Sequence, residues 1–204
     1  MILSGPSGVG KSTIHGVFKK RNPDFRLSVS VTTRSPREGE KEGVNYYYRT
    51  EEEFDRLVKE GAFVEHVSFS GHRYGTLHSE LRRITEEGHS VVLDVEAVGA
   101  INVKKINPSA ILIFILPPSY EELRARLVGR GSENEKEVLA RLATFKSQVE
   151  LSAQYDYVVV NKDIDTCAAD VQRILEAERQ GLKVNELLVQ NNLDLIRSII
   201  QEVE

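Results

Sequence analysis

Gly5-Pro6-Ser7-Gly8-Val9-Gly10-Lys11-Ser12, close to the start of the chain, has the pattern GxxxxGK[ST] of a phosphate-binding loop. An apolar segment, Met1-Ile2-Leu3, precedes this loop as a strand would, and residues 12–18 follow it as a helix would. Glycines let the backbone curl so that its N–H groups face a phosphate, and the helix N-terminus adds a partial positive charge. The pattern therefore predicts a site for a nucleoside triphosphate.

The predicted contacts with this triphosphate are Gly5, Pro6, Ser7, Gly8, Val9, Gly10, Lys11, Ser12 and Thr13. Lys11 is expected to reach the outer phosphates, and the Ser12 hydroxyl is a hard oxygen ligand suited to Mg²⁺. A second metal ligand is expected at Asp94, which ends the apolar run Ser90-Val91-Val92-Leu93. An apolar strand that ends in Asp is common by itself, but after a complete phosphate loop it favours a metal role. Mg²⁺ is therefore the expected cofactor, held by Ser12 and Asp94.

Composition limits the class of protein. The chain has 204 residues, which suits one well-buried domain with insertions, and a net charge of −4, which gives no basic field for nucleic acid or anionic lipid. Its single cysteine, Cys167, excludes an internal disulfide and suits a reducing compartment. No apolar run approaches the roughly 20 residues that span a bilayer. We expect a cytoplasmic protein with small-molecule partners, without nucleic acid or membrane.

The rest of the chain alternates between strand and helix patterns, which predicts an α/β fold. Strands are expected at 25–31, 90–95, 110–116 and 157–160, and helices at 50–57, 76–87, 119–128, 136–155 and 165–180. The strands expected at 90–95 and 110–116 are nearly continuous runs of β-branched and apolar residues, which is typical of strands buried on both faces. The pattern predicts the parallel sheet flanked by helices of P-loop NTPases.

Two polar segments interrupt this alternation, and they are candidates for substrate binding. Residues 34–70 are rich in turns and tyrosines, and residues 129–141 are charged, flanked by glycine and contain arginines. Insertions on a rigid scaffold are where substrate sites and lids tend to lie. We therefore expect the acceptor of the phosphoryl group to bind at the first insertion and a lid to form at the second.

The first insertion contains a series of residues with a specific spacing. They are Ser30-Val31-Thr32-Thr33-Arg34-Ser35-Pro36-Arg37-Glu38-Gly39-Glu40, then Gly43-Val44-Asn45-Tyr46, and later Ser70-Gly71-His72-Arg73-Tyr74-Gly75-Thr76. These segments closely resemble the guanylate kinases, which have the motifs SxTTRxPRxGExxGxxY and SGxxYG[ST] in this order. The resemblance extends from Met1 to about Gln180 and includes both insertions. It implies transfer of the γ-phosphoryl group of ATP to GMP or dGMP.

The resemblance also implies roles for individual residues. The GMP phosphate should be held by Arg34, Arg37, Tyr46 and Tyr74, and the guanine should be read by Ser30, Glu65 and Thr76, with Glu40 and Glu96 also in the GMP site. Arg130 and Arg141 match the lid arginines that close over ATP. Lys11, Arg34, Arg130 and Arg141 would neutralise charge in the transition state and are the expected catalytic residues.

The residue types suit this chemistry independently of the resemblance. Arginine binds a phosphate dianion through two parallel hydrogen bonds, which lysine cannot do. Guanine presents N–H donors at N1 and N2 and an acceptor at O6. A carboxylate such as Glu65 accepts from the donors, and a hydroxyl such as Ser30 can donate to O6. Adenine would leave that carboxylate unpaired, which predicts strong discrimination against AMP.

Two positions depart from the family pattern DIDxQG after the metal strand. Glu96 stands where the family has aspartate, and Val98 stands where it has a glutamine that can donate hydrogen bonds. The longer Glu96 could shift its contact with guanine or ribose. These departures bear on fine selectivity and rate and leave the expected reaction unchanged.

The predicted organisation is one guanylate-kinase-like domain, residues 1–181, followed by a helical tail at 182–204. The domain would consist of a core at 1–30, 75–128 and 150–181, a GMP-binding insertion at 31–74 and a lid at 129–149. Apolar residues at helical spacing in the tail, from Leu187 to Val203, predict an amphipathic helix. This stripe could pack on its own domain or mediate a dimer, so a monomer and a homodimer both remain open.

Two other functions remain to be weighed against a kinase of GMP. A guanylate-kinase-like interaction module would keep the GMP pocket but typically lose the loop lysine or the lid arginines, and Lys11, Ser12, Asp94, Arg130 and Arg141 are all present. A kinase for another small phosphorylated acceptor would not need Ser30 and Glu65 for guanine. A panel of nucleotides separates the three.

Overall fold

The computed structural model describes residues 1–69, 71–129 and 135–203. The strands are β1 (Ile2–Ser4), β2 (Phe25–Leu27), β3 (Ser30–Thr32), β4 (Tyr46–Tyr48), β5 (Phe63–Phe69), β6 (His72–Leu77), β7 (Ser90–Asp94), β8 (Leu112–Leu116) and β9 (Tyr157–Val160). The helices are α1 (Lys11–Arg21), α2 (Glu51–Lys59), α3 (His78–Glu86), α4 (Ala97–Ile106), α5 (Tyr120–Gly129), α6 (Glu135–Ala143), α7 (Phe145–Leu151), α8 (Ile164–Arg179) and α9 (Leu193–Gln201). Short 3-10 helices lie at Ser152–Gln154, Asn185–Leu187 and Val189–Asn191.

The central sheet has five parallel strands in the order β2-β7-β1-β8-β9. All five residues of β8 are buried, which explains the uninterrupted apolar run Leu112–Leu116. Helices α1 and α8 pack against each other beside the sheet. The predicted α/β fold with a parallel sheet flanked by helices is confirmed. The carboxyl ends of β1 and β7 lead directly to the phosphate loop and to Asp94.

A second, smaller sheet has the order β4-β3-β6-β5 and is built largely from the first insertion. Strands β5 and β6 form an antiparallel hairpin, and β3 also pairs with β6 in the antiparallel direction. Helix α2 precedes this hairpin. It begins with a capping box, in which the Glu53 amide donates to the Thr50 hydroxyl oxygen and the Thr50 amide donates to the Glu53 carboxylate.

The predicted single strand at 25–31 is wrong, since it forms parts of two sheets. Phe25–Leu27 pairs with β7 in the central sheet, and Ser30–Thr32 pairs with β4 and β6 in the second sheet. At the crossing, the Ser28 amide donates to the Val92 carbonyl and the Val29 amide donates to Glu80 Oε1. These two bonds satisfy the backbone where the chain leaves one sheet for the other.

Two predicted helices differ in extent from those observed. The helix expected at 76–87 begins at His78, because Thr76 and Leu77 still pair with β5. The helix expected at 136–155 is divided at Thr144 into α6 and α7 and ends in a 3-10 turn. Tertiary pairing and packing override the local periodicity at both places.

The C-terminal residues fold back on the rest of the chain. Helix α9 packs against α7 and the 3-10 helices, and it buries Ile196 and Ile199. It is shorter than the apolar stripe suggested, because residues 185–191 form two 3-10 turns. The predicted domain boundaries, including the tail at 182–204, remain a proposal. Within the described ranges, no helix combines the length and the apolar composition needed to cross a membrane.

Candidate active site

A cleft of about 740 Å³ lies between the phosphate loop and the second sheet. The predicted site residues that line this cleft are Ser7, Gly8, Val9, Gly10, Lys11, Ser12, Ser30, Arg34, Arg37, Glu40, Tyr46, Glu65, Tyr74, Asp94, Glu96 and Arg141. Residues far apart in the sequence, from both sheets and from α6, therefore face one cavity. Gly5, Pro6, Thr13 and Thr76 are not among the lining residues, and Arg130 lies outside the described residues.

The phosphate loop is held in a left-handed conformation at Gly10. Gly10 has φ 99° and immediately precedes α1, and a Cβ there would lie 2.7 Å from Asn161 Nδ2. Asn161, directly after β9, donates from Nδ2 to the Val9 carbonyl at 2.7 Å. Lys11 Nζ donates to the Gly5 carbonyl at 2.7 Å, which spans the loop. The loop is thus fixed by its own lysine and by the end of the neighbouring strand.

Arg34 is held by a carboxylate at the mouth of the cleft. Its Nη2 lies 2.9 Å from both Oε1 and Oε2 of Glu40, and its guanidinium lies 5.4 Å from the centre of the Tyr46 ring. Burial opposes the charge, but hydrogen bonding and charge from Glu40 outweigh it and raise the pKa of Arg34. Glu40 also accepts from the Arg37 amide and the Tyr48 hydroxyl. Glu40 thus holds the Arg34 guanidinium in a fixed position. A direct contact between Glu40 and GMP stays a prediction.

Tyr46 and Tyr74 lie beside Arg34, and their ring centres are 6.0 Å apart. Burial, together with the nearby negative charge of Asp94, raises the pKa of Tyr46 to about 12. Tyr46 therefore keeps its proton at neutral pH and can donate a hydrogen bond to an anion. Its closeness to Asp94 means that the predicted phosphate contacts face the predicted metal ligand across the cleft.

Glu65 lies deeper in the cleft, on β5, and is only 6% exposed. Its Oε1 accepts a 2.8 Å hydrogen bond from the Thr76 hydroxyl on the adjacent β6. Its buried Oε2 has no hydrogen-bond partner within the described part of the chain. Burial raises the pKa of this carboxyl, although the Thr76 hydrogen bonds oppose the effect. Thr76 lies behind Glu65, where its hydroxyl orients the carboxylate.

Asp94, at the end of β7, and Ser12, at the end of the phosphate loop, offer hard oxygen ligands to the same cleft. Asp94 Oδ2 lies 3.6 Å from Nε2 of His15, which is one helical turn after Lys11 on α1. Burial lowers the pKa of His15, despite the opposing charge of Asp94, and therefore favours the neutral ring. Among the described residues, no three acidic, histidine or cysteine side chains cluster as a complete metal site. A hydroxyl plus one carboxylate suits an ion completed by phosphate and water, as Mg²⁺ is.

Glu96 and Arg141 complete the wall of the cleft nearest the loop. Glu96 Oε2 accepts a 3.2 Å hydrogen bond from Gln148 Nε2 on α7, and burial raises the pKa of the Glu96 carboxyl. Arg141 Nη1 donates to the Ser7 hydroxyl at 2.8 Å and thereby connects α6 to the phosphate loop. The structure thus places a predicted lid arginine directly on the predicted triphosphate site.

Sequence reasoning missed three residues that support the site: His15, Gln148 and Asn161. For His15 a signal existed, because a residue four positions after Lys11 faces the same side of α1. For Asn161 the position directly after the last core strand was a weaker signal. For Gln148 no signal existed in the sequence, since its hydrogen-bond partner Glu96 lies 52 positions away.

The fold and the cleft define a P-loop nucleotide-binding protein with a second substrate site. The protein-family model described as guanylate kinase matches residues 1–178. The chain is 40% identical over 202 residues to a guanylate kinase of Caldanaerobacter subterraneus subsp. tengcongensis, covering 99% of this chain and 95% of that protein. A solved guanylate kinase from Anaplasma phagocytophilum superposes with a TM-score of 0.72 at 36% identity, covering 87% of this chain and 84% of that one. This chain belongs to the guanylate kinase family.

Proposed function

We propose that this chain transfers the γ-phosphoryl group of ATP to GMP, giving ADP and GDP. The observation that supports this most directly is the single cleft in which the phosphate loop faces Arg34, Tyr46, Tyr74 and Glu65. One side of this cavity suits a triphosphate, and the other suits a phosphate monoester attached to a base with N–H donors. Both substrates can therefore meet within it.

The chain's own groups would position the substrates and neutralise charge. Lys11 and Arg141 would contact the ATP phosphates, and Arg34, Arg37, Tyr46 and Tyr74 would bind the GMP phosphate. Phosphoryl transfer needs little covalent chemistry from the protein, so alignment and charge stabilisation supply most of the rate. The Arg34–Glu40 pair holds one of these cations in place before substrate arrives.

Base recognition would depend on Glu65 and Ser30. Glu65 Oε2, which has no hydrogen-bond partner in the part of the chain that the structure describes, can accept from guanine N1–H or N2–H. The Ser30 hydroxyl can donate to O6. Adenine has no N1–H, so it would leave a buried carboxylate without a partner. Such a mismatch is worth on the order of a thousandfold or more in relative rate.

Ser12 and Asp94 would hold Mg²⁺. When bound, the ion would supply neutralisation of the negative charge on the ATP phosphates. His15 Nε2 lies 3.6 Å from Asp94 Oδ2, beyond hydrogen-bond distance, and has no hydrogen-bond partner among the described residues. The neutral ring favoured by burial adds no competing positive charge.

The test is a nucleotide panel with the full chain. ADP release from ATP and Mg²⁺ is measured with GMP, dGMP and AMP as acceptors, and release is expected with GMP and very little with AMP. Arg34→Ala should lose nearly all activity, at least a hundredfold, because the acceptor phosphate loses a charged bidentate contact. Arg82→Ala, which removes an exposed arginine on α3, is the matched control and should retain activity.

Each contrary outcome points to a different function. Equal turnover of AMP would contradict guanine specificity and favour a kinase for another small acceptor. Calorimetric binding of GMP without any ADP release would instead favour the non-catalytic interaction module.

A further inference from the structure

We propose that Gly99 is a positioning residue for guanine recognition, because its missing side chain provides the space for the Glu65 carboxylate. The proposal rests on the proposed function, in which Glu65 accepts hydrogen bonds from guanine. Gly99 itself contacts no substrate in this account. It acts through Glu65, and its role is to fix where the free carboxylate oxygen lies.

The observation behind the proposal is a close approach between two elements. Gly99 lies in the first turn of α4, and Glu65 lies on β5, which packs against that helix. A Cβ at residue 99 would lie 2.5 Å from Glu65 Oε2 and 3.2 Å from Glu65 Cδ. The first distance is far below van der Waals contact, so no side chain is compatible with the present position of the carboxylate.

The oxygen next to Gly99 is the one that matters for binding. Glu65 Oε1 is committed to the Thr76 hydroxyl at 2.8 Å, whereas Oε2 is buried and unpartnered within the described residues. An orphan acceptor in a cleft is costly unless a ligand satisfies it. The Glu65 carboxylate therefore occupies the space that a side chain at residue 99 would fill. In this position Oε2 remains available to accept a hydrogen bond from a guanine N–H.

A backbone requirement does not explain this glycine. Gly99 is in ordinary helical geometry and is not among the glycines with positive φ. Glycine inside a helix lowers stability relative to alanine. The close approach of the carboxylate is the feature of this position that requires glycine.

Gly99→Ala is the direct test, and the chain offers a matched control. The added methyl must displace the Glu65 carboxylate or move the first turn of α4. We expect the KM for GMP to rise roughly ten- to hundredfold, with the KM for ATP unchanged, and the preference for GMP over AMP to fall. Gly16→Ala introduces the same change on α1 at an exposed position with no atom within 4 Å, and both KM values should be unchanged.

A cycle with Glu65→Gln separates positioning from general damage to the fold. Glu65→Gln should raise the GMP KM in the parent protein but have little further effect in the Gly99→Ala background, because the carboxylate is already displaced there. Thermal unfolding of every variant shows whether the helix is retained. Additive effects of the two substitutions would assign Gly99 a merely structural role and overturn the proposal.

The remaining outcomes separate this inference from the proposed function. If the parent chain forms GDP and Gly99→Ala keeps its GMP KM and its discrimination against AMP, the inference about Gly99 is wrong and the proposed function stands. If the parent chain forms no GDP, the proposed function is wrong and the role of Gly99 falls with it.

Discussion

At the scale of single residues, Glu65 combines burial with an acceptor oxygen that has no hydrogen-bond partner among the residues the structure describes. Burial raises its pKa, so the carboxyl group takes up a proton at a higher pH than an exposed glutamate does. A protonated carboxyl has lost one acceptor site and cannot serve two guanine N–H donors equally well. The same burial that gives selectivity therefore makes GMP binding sensitive to acid.

The pH dependence of the GMP KM should reveal this sensitivity. As the pH falls, the KM of the parent protein should begin to rise at a higher pH than protonation of an exposed glutamate would cause, since burial raises the pKa of Glu65. Glu65→Gln should have a high KM that lacks this part of the dependence. The GMP phosphate titrates identically in both experiments, so the difference between the two profiles isolates Glu65. Parallel profiles would contradict the prediction.

Sequence motifs identify the residues of the site better than they identify its supports. Arg34 and Glu65 lie within or beside recognisable patterns, and both face the cleft. Gln148 lies outside any chemical pattern, and Gly99 ends the DIDxQG pattern, which does not indicate its partner. The importance of both residues depends on contacts with Glu96 and Glu65 that are made only after folding. Spacing along the chain contains no information about such contacts.

At the scale of elements, β1 is short but well supported. It has only three residues, yet it pairs with β7 on one side and β8 on the other, and all three are buried. Asn161, at the end of β9, adds a direct bond to the Val9 carbonyl of the loop. The loop therefore depends on a side chain from another strand as well as on the strand before it.

Asn161→Ala should weaken ATP binding through this lost support. We expect the KM for ATP to rise about tenfold, the KM for GMP to change little, and stability to fall by roughly 1–3 kcal/mol because the buried Val9 carbonyl loses its donor. Initial rates and urea unfolding measure these effects. Asn22→Ala removes a comparable amide-to-carbonyl bond at the far end of α1 and is the control, with unchanged KM values. Equal rises in both KM values for Asn161→Ala would refute the specific role.

Element types are more predictable than the sheet to which an element belongs. The apolar run of β8 and the capping box of α2 determine their own conformations locally, and both are found as expected. The segment 25–31 has one alternating pattern but divides between two sheets. Bonds to Val92 and Glu80, more than 50 positions away, decide where it crosses. The alternating pattern of a segment contains no information about hydrogen-bond partners so far away in the sequence.

At the scale of the whole molecule, the C-terminal residues help to hold the lid side of the cleft. Helix α9 packs on α7, which carries Gln148, and Glu202 accepts a 2.6 Å hydrogen bond from the Tyr120 amide at the start of α5. Helix α5, which leads into the predicted lid, and helix α7, at its end, are thus both contacted by the same C-terminal segment. Ile196 and Ile199 on the apolar face of α9 are buried within their own chain, so we predict that this face does not join two chains.

Ile199→Ala tests this assignment of the tail. Ile199 is 1% exposed, so truncation should leave a cavity and lower the free energy of unfolding by about 2–4 kcal/mol. Leu193→Ala, at the 36% exposed start of the same helix, should cost much less. Urea unfolding measures both, and light scattering should give the mass of a single chain for the parent and both variants. If α9 were instead a dimer contact, the parent would have twice this mass and Ile199→Ala would reduce it to one chain. That result would show that the apolar face of α9 is buried at a subunit interface and not in the core of its own chain.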